Sequence, residues 1–392
     1  MDDTAFPPAD KLVAPGIRWA APAWGLTVVG LAAAVAAILT DHAAARSAAA
    51  QVWSPFVLVA GLLMVGLVAD QDGLFAAIGH RLASVAPNGT VLFAGASLGI
   101  ATVTAVLNLD TSVVFVTPVL VYAARSRGQD GSALLMASLL LSNAGSVLLP
   151  GSNLTNLIVL GHLHLSGGQF LEHMALPWTA AVLVTGGAIA VTEHRSLSIG
   201  PAASEPGPAM TVGLGALGVA AVVVLVLVLQ APAVPVAGVG VVAAAIGLAG
   251  KRLDLDRVRQ VLGVPVLVGL FGIALALGAL GRSWLGPATL LAHLDAVGVA
   301  AVAAGTSVVV NNLPAAALLA ARVPAHPFAL LVGLDIGPNL FVTGSLAWIL
   351  WWRTARSLGV SPPVRKTAVL GILTVPLSMG AALAILAVTG TP

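Results

Sequence analysis

The chain has 392 residues, of which 58% are hydrophobic and only 8% are charged, and its formal net charge is +2. A soluble domain carries roughly a quarter charged residues, so this composition predicts an integral membrane protein with several spans. The complete lack of cysteine excludes disulfides, thiolate metal sites and thiol nucleophiles. The chain has no Walker-type phosphate loop and no nucleic-acid-binding motif, so we expect neither nucleotide hydrolysis of that kind nor a nucleic-acid partner.

In the first half of the chain, apolar segments of spanning length alternate with short polar interruptions. The N-terminus is acidic and lacks the basic flank of a signal peptide, so we predict a cytoplasmic segment at 1–19 followed by a retained span. The predicted elements are spans at 20–40 and 54–70, an interfacial helix at 71–88, a re-entrant hairpin at 90–122, a broken span at 131–161 and a span at 172–192. Together they form a first transmembrane repeat over 20–192.

The second half repeats this order after a polar connection. Residues 193–210 contain three prolines among small and charged residues and are predicted to form a cytoplasmic linker. An extra transmembrane helix is predicted at 211–232. A second repeat over 233–392 then contains spans at 233–250 and 261–281, a hairpin at 297–321, a broken span at 328–354 and a last span at 367–389.

The two halves align with each other at their helix-breaking residues. Asn108 falls on Asn311, and Gly151-Ser152 falls on Gly344-Ser345. The extra helix has no counterpart in the first half, so the second half begins on the opposite side of the membrane. The predicted fold is therefore an all-α polytopic membrane protein with two inverted repeats, each with a re-entrant helical hairpin and a broken transmembrane helix.

The placement of positive charges tests this topology. With the hairpins counted as non-crossing, 14 of the 17 Lys and Arg residues fall on one face and only Arg46, Arg282 and Arg322 on the other. This positive-inside bias predicts a protein of the plasma membrane with a cytoplasmic N-terminus. Trp348, Trp351 and Trp352 end a span near two arginines and are predicted to form an interfacial belt.

Two acidic residues, Asp110 and Asp335, lie at helix breaks near the predicted membrane midplane, one in each repeat. An isolated buried carboxylate is costly, so each is expected to bind a cation or to take up a proton, which suits a proton relay. The alternative is a structural carboxylate that caps the N-terminus of a half-helix.

Amide, hydroxyl and glycine residues surround these acids in the sequence and could line a solute site. Asparagine offers two donors and one acceptor, and glycine allows the backbone to approach a ligand closely. The alternative is that these residues only satisfy broken backbone at the hairpin tips. The candidate solute ligands are Asn108, Thr111, Ser112, Gly151, Ser152, Asn153, Asn311, Asn312, Asn339, Thr343, Gly344 and Ser345.

These motifs resemble the arsenical pump membrane protein family, the arsenite and antimonite efflux permeases of the ion transporter superfamily. The resemblance covers about 54–390 and is most specific in Asn311-Asn312-Leu313-Pro314, in Leu334-Asp335-Ile336-Gly337-Pro338 and in 344–351, which begins Gly344-Ser345-Leu346. In the first half, Ser152-Asn153-Leu154-Thr155-Asn156 is similar to the family's Ser-Asn-Leu-x-Asn. The hairpin sequence Asn108-Leu109-Asp110 departs from the expected Asn-Asp-Gly-like pattern, and Phe341-Val342-Thr343 replaces a more Thr-Pro-Ile-like stretch.

The resemblance implies exchange of trivalent arsenic or antimony for protons, sometimes with a separate cytosolic ATPase subunit. Members of the superfamily are often dimers. Arsenite near neutral pH is largely an uncharged trihydroxide, which needs hydroxyl and amide partners more than a cationic clamp. We expect no cofactor and no resident metal.

We therefore predict a secondary transporter that exports arsenite or antimonite in exchange for protons by alternating access. The main alternatives are a sodium/proton antiporter and a sodium-coupled carboxylate transporter on the same fold. A channel would conduct without coupling, and the repeated broken helices argue against it. A membrane-embedded enzyme is disfavoured because the sequence shows no nucleophile–base pair or metal cluster.

Overall fold

The computed structural model describes residues 20–161, 163, 165–197, 213–229 and 231–390. Within these residues the secondary structure consists of helices and turns, with no strand, which confirms the predicted all-α class. The predicted cytoplasmic segment at 1–19 and most of the linker at 193–210 lie outside the described residues. The described part of that linker is helical: Glu193 caps the preceding helix, and a helical turn covers His194–Leu197.

The helices follow one another with short connections. The first half contains α1 (Ala20–Thr40), α2 (His42–Gln71), α3 (Leu74–Val85), α4 (Gly89–Val106), α5 (Leu109–Ser126), α6 (Ser132–Gly145), α7 (Leu154–Leu160), α8 (Gly167–Thr192) and α9 (His194–Leu197). The rest of the chain contains α10 (Leu214–Val228), α11 (Ala233–Ala249), α12 (Leu255–Leu262), α13 (Val264–Ser283), α14 (Gly286–Ala292), α15 (Ala296–Val310), α16 (Asn312–Leu319), α17 (Pro327–Ile336), α18 (Leu346–Ser357) and α19 (Val364–Val388).

Several of these helices are long and apolar enough to cross a bilayer. In the described part of the chain five segments meet this condition: His42–Gln71, Gly89–Val106, Gly167–Thr192, Val364–Val388 and the stretch Leu255–Ser283, which consists of α12 and α13. Shorter apolar helices, among them α6, α15 and α17, pack between them. These three helices have 14, 15 and 10 residues, too few to cross the hydrocarbon core alone, so the backbone groups at their inner ends need partners within the protein.

Helix α2 begins earlier than the sequence suggests. The sequence predicts a span from residue 54, whereas the helix starts at His42. The Asp41 carboxylate accepts the Ala44 N–H at 2.9 Å, and the residues that follow are rich in alanine, the strongest helix former. The capping bond stabilises the ionised carboxylate and holds the pKa of Asp41 below its ordinary value.

The two halves of the chain interlock. Helix α1 packs along α13, α2 packs between α11 and α13, α5 packs on α18, and α8 packs on α19. Small residues allow the first of these contacts: a Cβ added at Gly30 would lie 2.1 Å from the Gly269 carbonyl oxygen, and one at Gly272 would lie 2.2 Å from that of Gly30. Close helix contacts through glycine are typical of membrane bundles.

The predicted tryptophan belt is wrong for two of its three members. Trp348 and Trp351 are 2% and 0% exposed. The Trp351 indole N–H donates to the Leu135 carbonyl on α6 at 2.8 Å, and that of Trp348 donates to the Pro338 carbonyl at 2.8 Å. Their N–H groups find buried carbonyl partners, so both rings tie α18 to the interior instead of facing the membrane interface.

Candidate functional site

Both broken spans contain a short 3-10 turn that replaces regular helix. In the first half, α6 ends at Gly145, a turn covers Pro150–Ser152, and α7 begins at Leu154. In the second half, α17 ends at Ile336, a turn covers Gly337–Leu340, and α18 begins at Leu346. Proline cannot donate a backbone hydrogen bond, so Pro150 and Pro338 favour breaks at these points. The breaks expose backbone groups and polar side chains inside the bundle.

The carboxylate of Asp335 joins the two halves at these breaks. Its Oδ1 atom accepts the Asn153 Nδ2–H at 2.9 Å and the Thr155 hydroxyl at 2.6 Å. The residue is fully buried, and no donor in the described part of the chain reaches its Oδ2 atom. All of its hydrogen-bond partners are neutral. Asp335 is therefore a buried acid with one anchored and one unpaired oxygen.

A pair of amides forms a second connection between the halves. Asn143 on α6 donates from Nδ2 to Asn339 Oδ1 at 2.9 Å, and Asn339 donates from Nδ2 to the Leu140 carbonyl at 2.9 Å. Asn143 Nδ2 also lies 3.3 Å from the Leu139 carbonyl. The Oδ1 atom of Asn143 has no donor among the described residues. Asn339 is thus bonded at both ends, whereas Asn143 keeps an unpaired acceptor.

Ser146 connects these groups to the first break. Its hydroxyl donates to the Asn143 carbonyl at 2.8 Å and accepts the Asn153 Nδ2–H at 3.1 Å. Asn156 donates from Nδ2 to the Ser146 carbonyl at 2.9 Å and to that of Leu149 at 3.0 Å. The Asn156 Oδ1 atom, like that of Asn143, has no donor in the described structure. We call Asn143, Ser146, Asn153, Thr155, Asn156, Asp335 and Asn339 the central polar cluster.

The second hairpin tip is bonded to the second break. The Asn312 backbone N–H donates to the Gly344 carbonyl at 2.8 Å, and Asn311 Nδ2 lies 3.3 Å from the Thr343 carbonyl. The Thr343 hydroxyl donates to the Val308 carbonyl. A Cβ at Gly344 would lie 2.5 Å from the Pro338 carbonyl oxygen, so only glycine fits this approach.

The first hairpin tip carries the other acid. Asn108 caps α5 by accepting the Thr111 N–H at 2.7 Å, and Asp110 follows in the first turn. Asp110 is 8% exposed, and no hydrogen bond or ion pair to its carboxylate is formed within the described residues. Ser112 lies 3.1 Å from the Ser142 hydroxyl, next to Asn143 in the chain. The first hairpin therefore contacts α6 beside the central polar cluster.

The predicted site residues fall into four groups. Asn153, Asp335 and Asn339 meet in the central polar cluster, while Asn108, Asp110, Thr111 and Ser112 lie at the first hairpin tip and Asn311, Asn312 and Gly344 at the second. Ser152 and Ser345 are buried. The Ser152 hydroxyl contacts the Leu149 carbonyl of its own turn and the Ser146 carbonyl of the central polar cluster, and the Ser345 hydroxyl has no partner among the described residues. Thr343 is exposed but bonds to the second hairpin through its carbonyl and its hydroxyl. Gly151 is exposed and lies outside these groups.

Four members of the cluster were absent from the predicted ligand set. Thr155 and Asn156 lie within the Ser152–Asn156 motif, directly after predicted residues. Asn143 and Ser146 were not predicted. Their position in an apolar intramembrane segment could have identified them, since polar residues there usually have a function. No group of three or more His, Asp or Glu side chains in the described structure is placed to hold a metal.

Comparison with known proteins identifies the family of this chain. Residues 17–351 match the family model CitMHS, described as citrate transporter. The chain belongs to this citrate transporter family. It is accordingly a multi-pass membrane transporter for a small solute, and not an enzyme. Among solved structures, it is similar to the Alcanivorax borkumensis YdaH transporter, whose crystal structure is described as revealing an unusual topology, with 16% identity over 85% of each chain and a TM-score of 0.44.

Proposed function

We propose that this member of the citrate transporter family exports arsenite or antimonite from the cytoplasm in exchange for protons. The observation that supports the proposal most is the environment of Asp335: a fully buried carboxylate whose partners are one amide and one hydroxyl. Without a cationic partner, a buried carboxylate is stable mainly when it is protonated or when a cation is bound. Such a group can carry a proton in one step of a transport cycle and release it in another.

The solute class follows from what surrounds this acid. The central polar cluster contains amides, hydroxyls and one carboxylate, and no hydrogen bond or ion pair joins it to a lysine or arginine in the described structure. A multiply charged anion would be poorly compensated here. An uncharged trihydroxide needs only hydrogen-bond partners, which the cluster supplies.

In this proposal Asp110 and Asp335 are the proton carriers. The solute contacts amides and hydroxyls at the hairpin tips and breaks, namely Asn108, Asn153, Asn311, Asn312, Thr343 and Ser345. The two hairpins and two broken helices form inverted repeats around one site, which opens alternately to each side of the membrane. The N-terminus is cytoplasmic, and the positively charged ends of the helices face the cytoplasm. A cytosolic ATPase subunit and a homodimer are the protein partners that the resemblance implies.

A second candidate is transport of a carboxylate together with a cation. The family match favours it, because the family is described by its citrate transport. The unpaired Asp335 oxygen would then lie beside a co-transported cation such as sodium, which would offset the charge of the carboxylate solute. A sodium/proton antiporter would use the same acids and leave the amides secondary.

The deciding experiment is transport by purified protein in proteoliposomes with an imposed pH gradient. Uptake of arsenite, antimonite, sodium and citrate is followed in separate reactions. We expect arsenite and antimonite uptake that depends on the gradient. Citrate uptake that requires sodium, with no arsenite movement, would replace the proposal by the second candidate.

A further inference from the structure

Three side chains of the central polar cluster share one arrangement. Asn143 and Asn156 each use Nδ2 to hold the cluster together, and each leaves Oδ1 without a donor in the described structure. Asp335 is held through Oδ1, which accepts two hydrogen bonds, and its Oδ2 atom is unpaired there. All three residues are 0% exposed. Each is thus fixed by one atom and presents one acceptor oxygen.

Such a set is unusual because most buried polar atoms find a partner. A buried acceptor without a donor costs about 1–3 kcal/mol, so three of them in one network constitute a large penalty unless a ligand compensates them. When Asp335 is ionised, the state that binds solute in an exchange for protons, all three atoms are acceptors. The matching ligand must therefore bring donors. A carboxylate solute such as citrate offers only acceptors at its carboxylates, and its single hydroxyl could pair with at most one of the three atoms.

The three side chains are close together in the fold. Asn156 bonds to the Ser146 carbonyl, Ser146 bonds to the Asn143 carbonyl, and Asn153 bonds to both Ser146 and Asp335. Ser146, the residue that caps the C-terminus of α6, therefore connects every member of the set. The donors that hold them are themselves buried, so the acceptor oxygens are fixed before a ligand arrives.

We infer that Asn143 and Asn156 are specificity-determining residues that, with Asp335, recognise the hydroxyl groups of a neutral solute. This inference deepens the proposed function, on which it rests for the identity of the solute. Asn339, bonded at both its amide atoms, acts by positioning Asn143 and does not contact the solute. A site built in this way selects neutral hydroxyl-bearing solutes over carboxylates, whatever the exact element.

The test is equilibrium binding to purified protein of four probes: arsenite, antimonite, boric acid and citrate. We expect wild type to bind neutral hydroxides and to bind citrate at least tenfold more weakly. Asn143→Leu and Asn156→Leu each remove the acceptor together with the Nδ2 donor that holds the cluster. They should weaken arsenite binding about tenfold or more, since 1.4 kcal/mol corresponds to a factor of ten. Asn88→Leu is the matched control, because Asn88 is exposed, caps α4 and is not part of the cluster. Its binding should be unchanged.

A folding defect is separated from a binding defect by the unfolding temperature of each variant, and binding is compared only among variants that unfold near the wild-type temperature. Asn143→Asp keeps the volume and the Oδ1 acceptor but loses the Nδ2 donor to Asn339. Affinity should fall in the order wild type, Asp, Leu. Equal affinities across this series, binding of citrate alone, or binding of none of the probes would overturn the inference. Binding of boric acid without arsenite or antimonite would refute the proposed metalloid function and still support the acceptor site.

Discussion

The amide of Asn153, from the first break, donates to the carboxylate of Asp335, from the second break, at 2.9 Å. Two residues that are 182 positions apart in the chain thus share one hydrogen bond inside the bundle. Thr155 reinforces the contact on the same oxygen. A proton taken up by Asp335 would change the strength of this bond, because a charged acceptor binds donors more strongly than a neutral one. This relationship couples the acid to the packing of the two halves.

Asp335→Asn should remove proton-driven transport. An amide cannot take up or release a proton at accessible pH. If the amide nitrogen took the position of Oδ1, it would also face the two donors of Asn153 and Thr155. We expect the rate of gradient-driven arsenite uptake to fall at least a hundredfold in proteoliposomes. Asp256→Asn is the matched control, because Asp256 is exposed on α12 and pairs only with Arg259 there. An equal loss in both variants would contradict the assigned role.

Asp110→Asn should also abolish coupling but leave the fold intact. No hydrogen bond to the Asp110 carboxylate is formed among the described residues, so the substitution breaks no contact of that kind. We expect an unfolding temperature equal to or above that of wild type, since a buried carboxylate is replaced by a neutral group. A strong loss of stability with normal transport would identify Asp110 as a structural residue.

Thr155→Val tests the hydroxyl that binds Asp335. Valine has nearly the same shape but cannot donate, so Asp335 Oδ1 keeps only the Asn153 bond. A hydrogen bond to a charged group contributes about 1.5–3 kcal/mol, and we expect at least a tenfold loss in transport rate. Thr155→Ser retains the hydroxyl and should recover most of the rate. A serine variant as poor as the valine variant would argue against the hydrogen bond as the cause.

The glycines of the two breaks should differ in their tolerance of alanine. A Cβ at Gly344 would lie 2.5 Å from the Pro338 carbonyl oxygen, whereas Gly151 has nothing within 4 Å of the added atom. Gly344→Ala should therefore destabilise the protein by about 1–3 kcal/mol, as overpacking does. Gly151→Ala should unfold at the wild-type temperature in a thermal assay. Equal temperatures for the two variants would contradict the close approach at Gly344.

Asn311 should prefer glycine to alanine as its replacement. Its φ of 80° lies in a region that residues with a side chain rarely adopt. Both replacements lose the cap on α16, so their difference isolates the backbone strain. We expect Asn311→Gly to be more stable than Asn311→Ala by about 1–3 kcal/mol in denaturant unfolding. The reverse order would exclude strain at this tip.

The natural lack of cysteine makes a direct test of orientation simple. Ser361 follows α18 on the predicted cytoplasmic face, and Thr289 lies on α14 on the opposite face; both are exposed. In intact cells, a membrane-impermeant maleimide should label Thr289→Cys and leave Ser361→Cys unlabelled. Labelling of Ser361→Cys alone would invert the proposed topology.

The sequence predicted those features of the fold that depend on neighbouring residues, such as helix breaks. Breaks could be predicted where proline, glycine and polar residues cluster, as at Pro150-Gly151 and Gly337-Pro338. Proline alone was not sufficient, because four other prolines lie inside continuous helices: Pro55, Pro118, Pro177 and Pro376. The early start of α2 was missed because its alanine-rich first turns are not hydrophobic enough to be recognised as part of a span. The cap at Asp41 was the available signal for the start of this helix. The family match supports a transporter, whereas the arsenite assignment and the inverted repeats remain predictions.

The site was harder to predict because its contacts are long-range. Asn143 is a single amide in an apolar helix, and its importance becomes visible only when Asn339, 196 positions away, bonds to it. Asn339 itself was predicted as a solute ligand, but α6 occupies both its amide atoms. Trp351 likewise resembles an interfacial residue until the Leu135 carbonyl is found beside its N–H. Pairing between halves depends on packing, which no local pattern encodes.

The most direct test of proton-coupled export reverses the driving force. Proteoliposomes with equal pH on both sides receive an arsenite gradient, and the internal pH is followed with a trapped fluorescent dye. We expect proton movement opposite to arsenite in wild type and none in Asp335→Asn. Arsenite flux without any pH change in wild type would contradict proton exchange at Asp335.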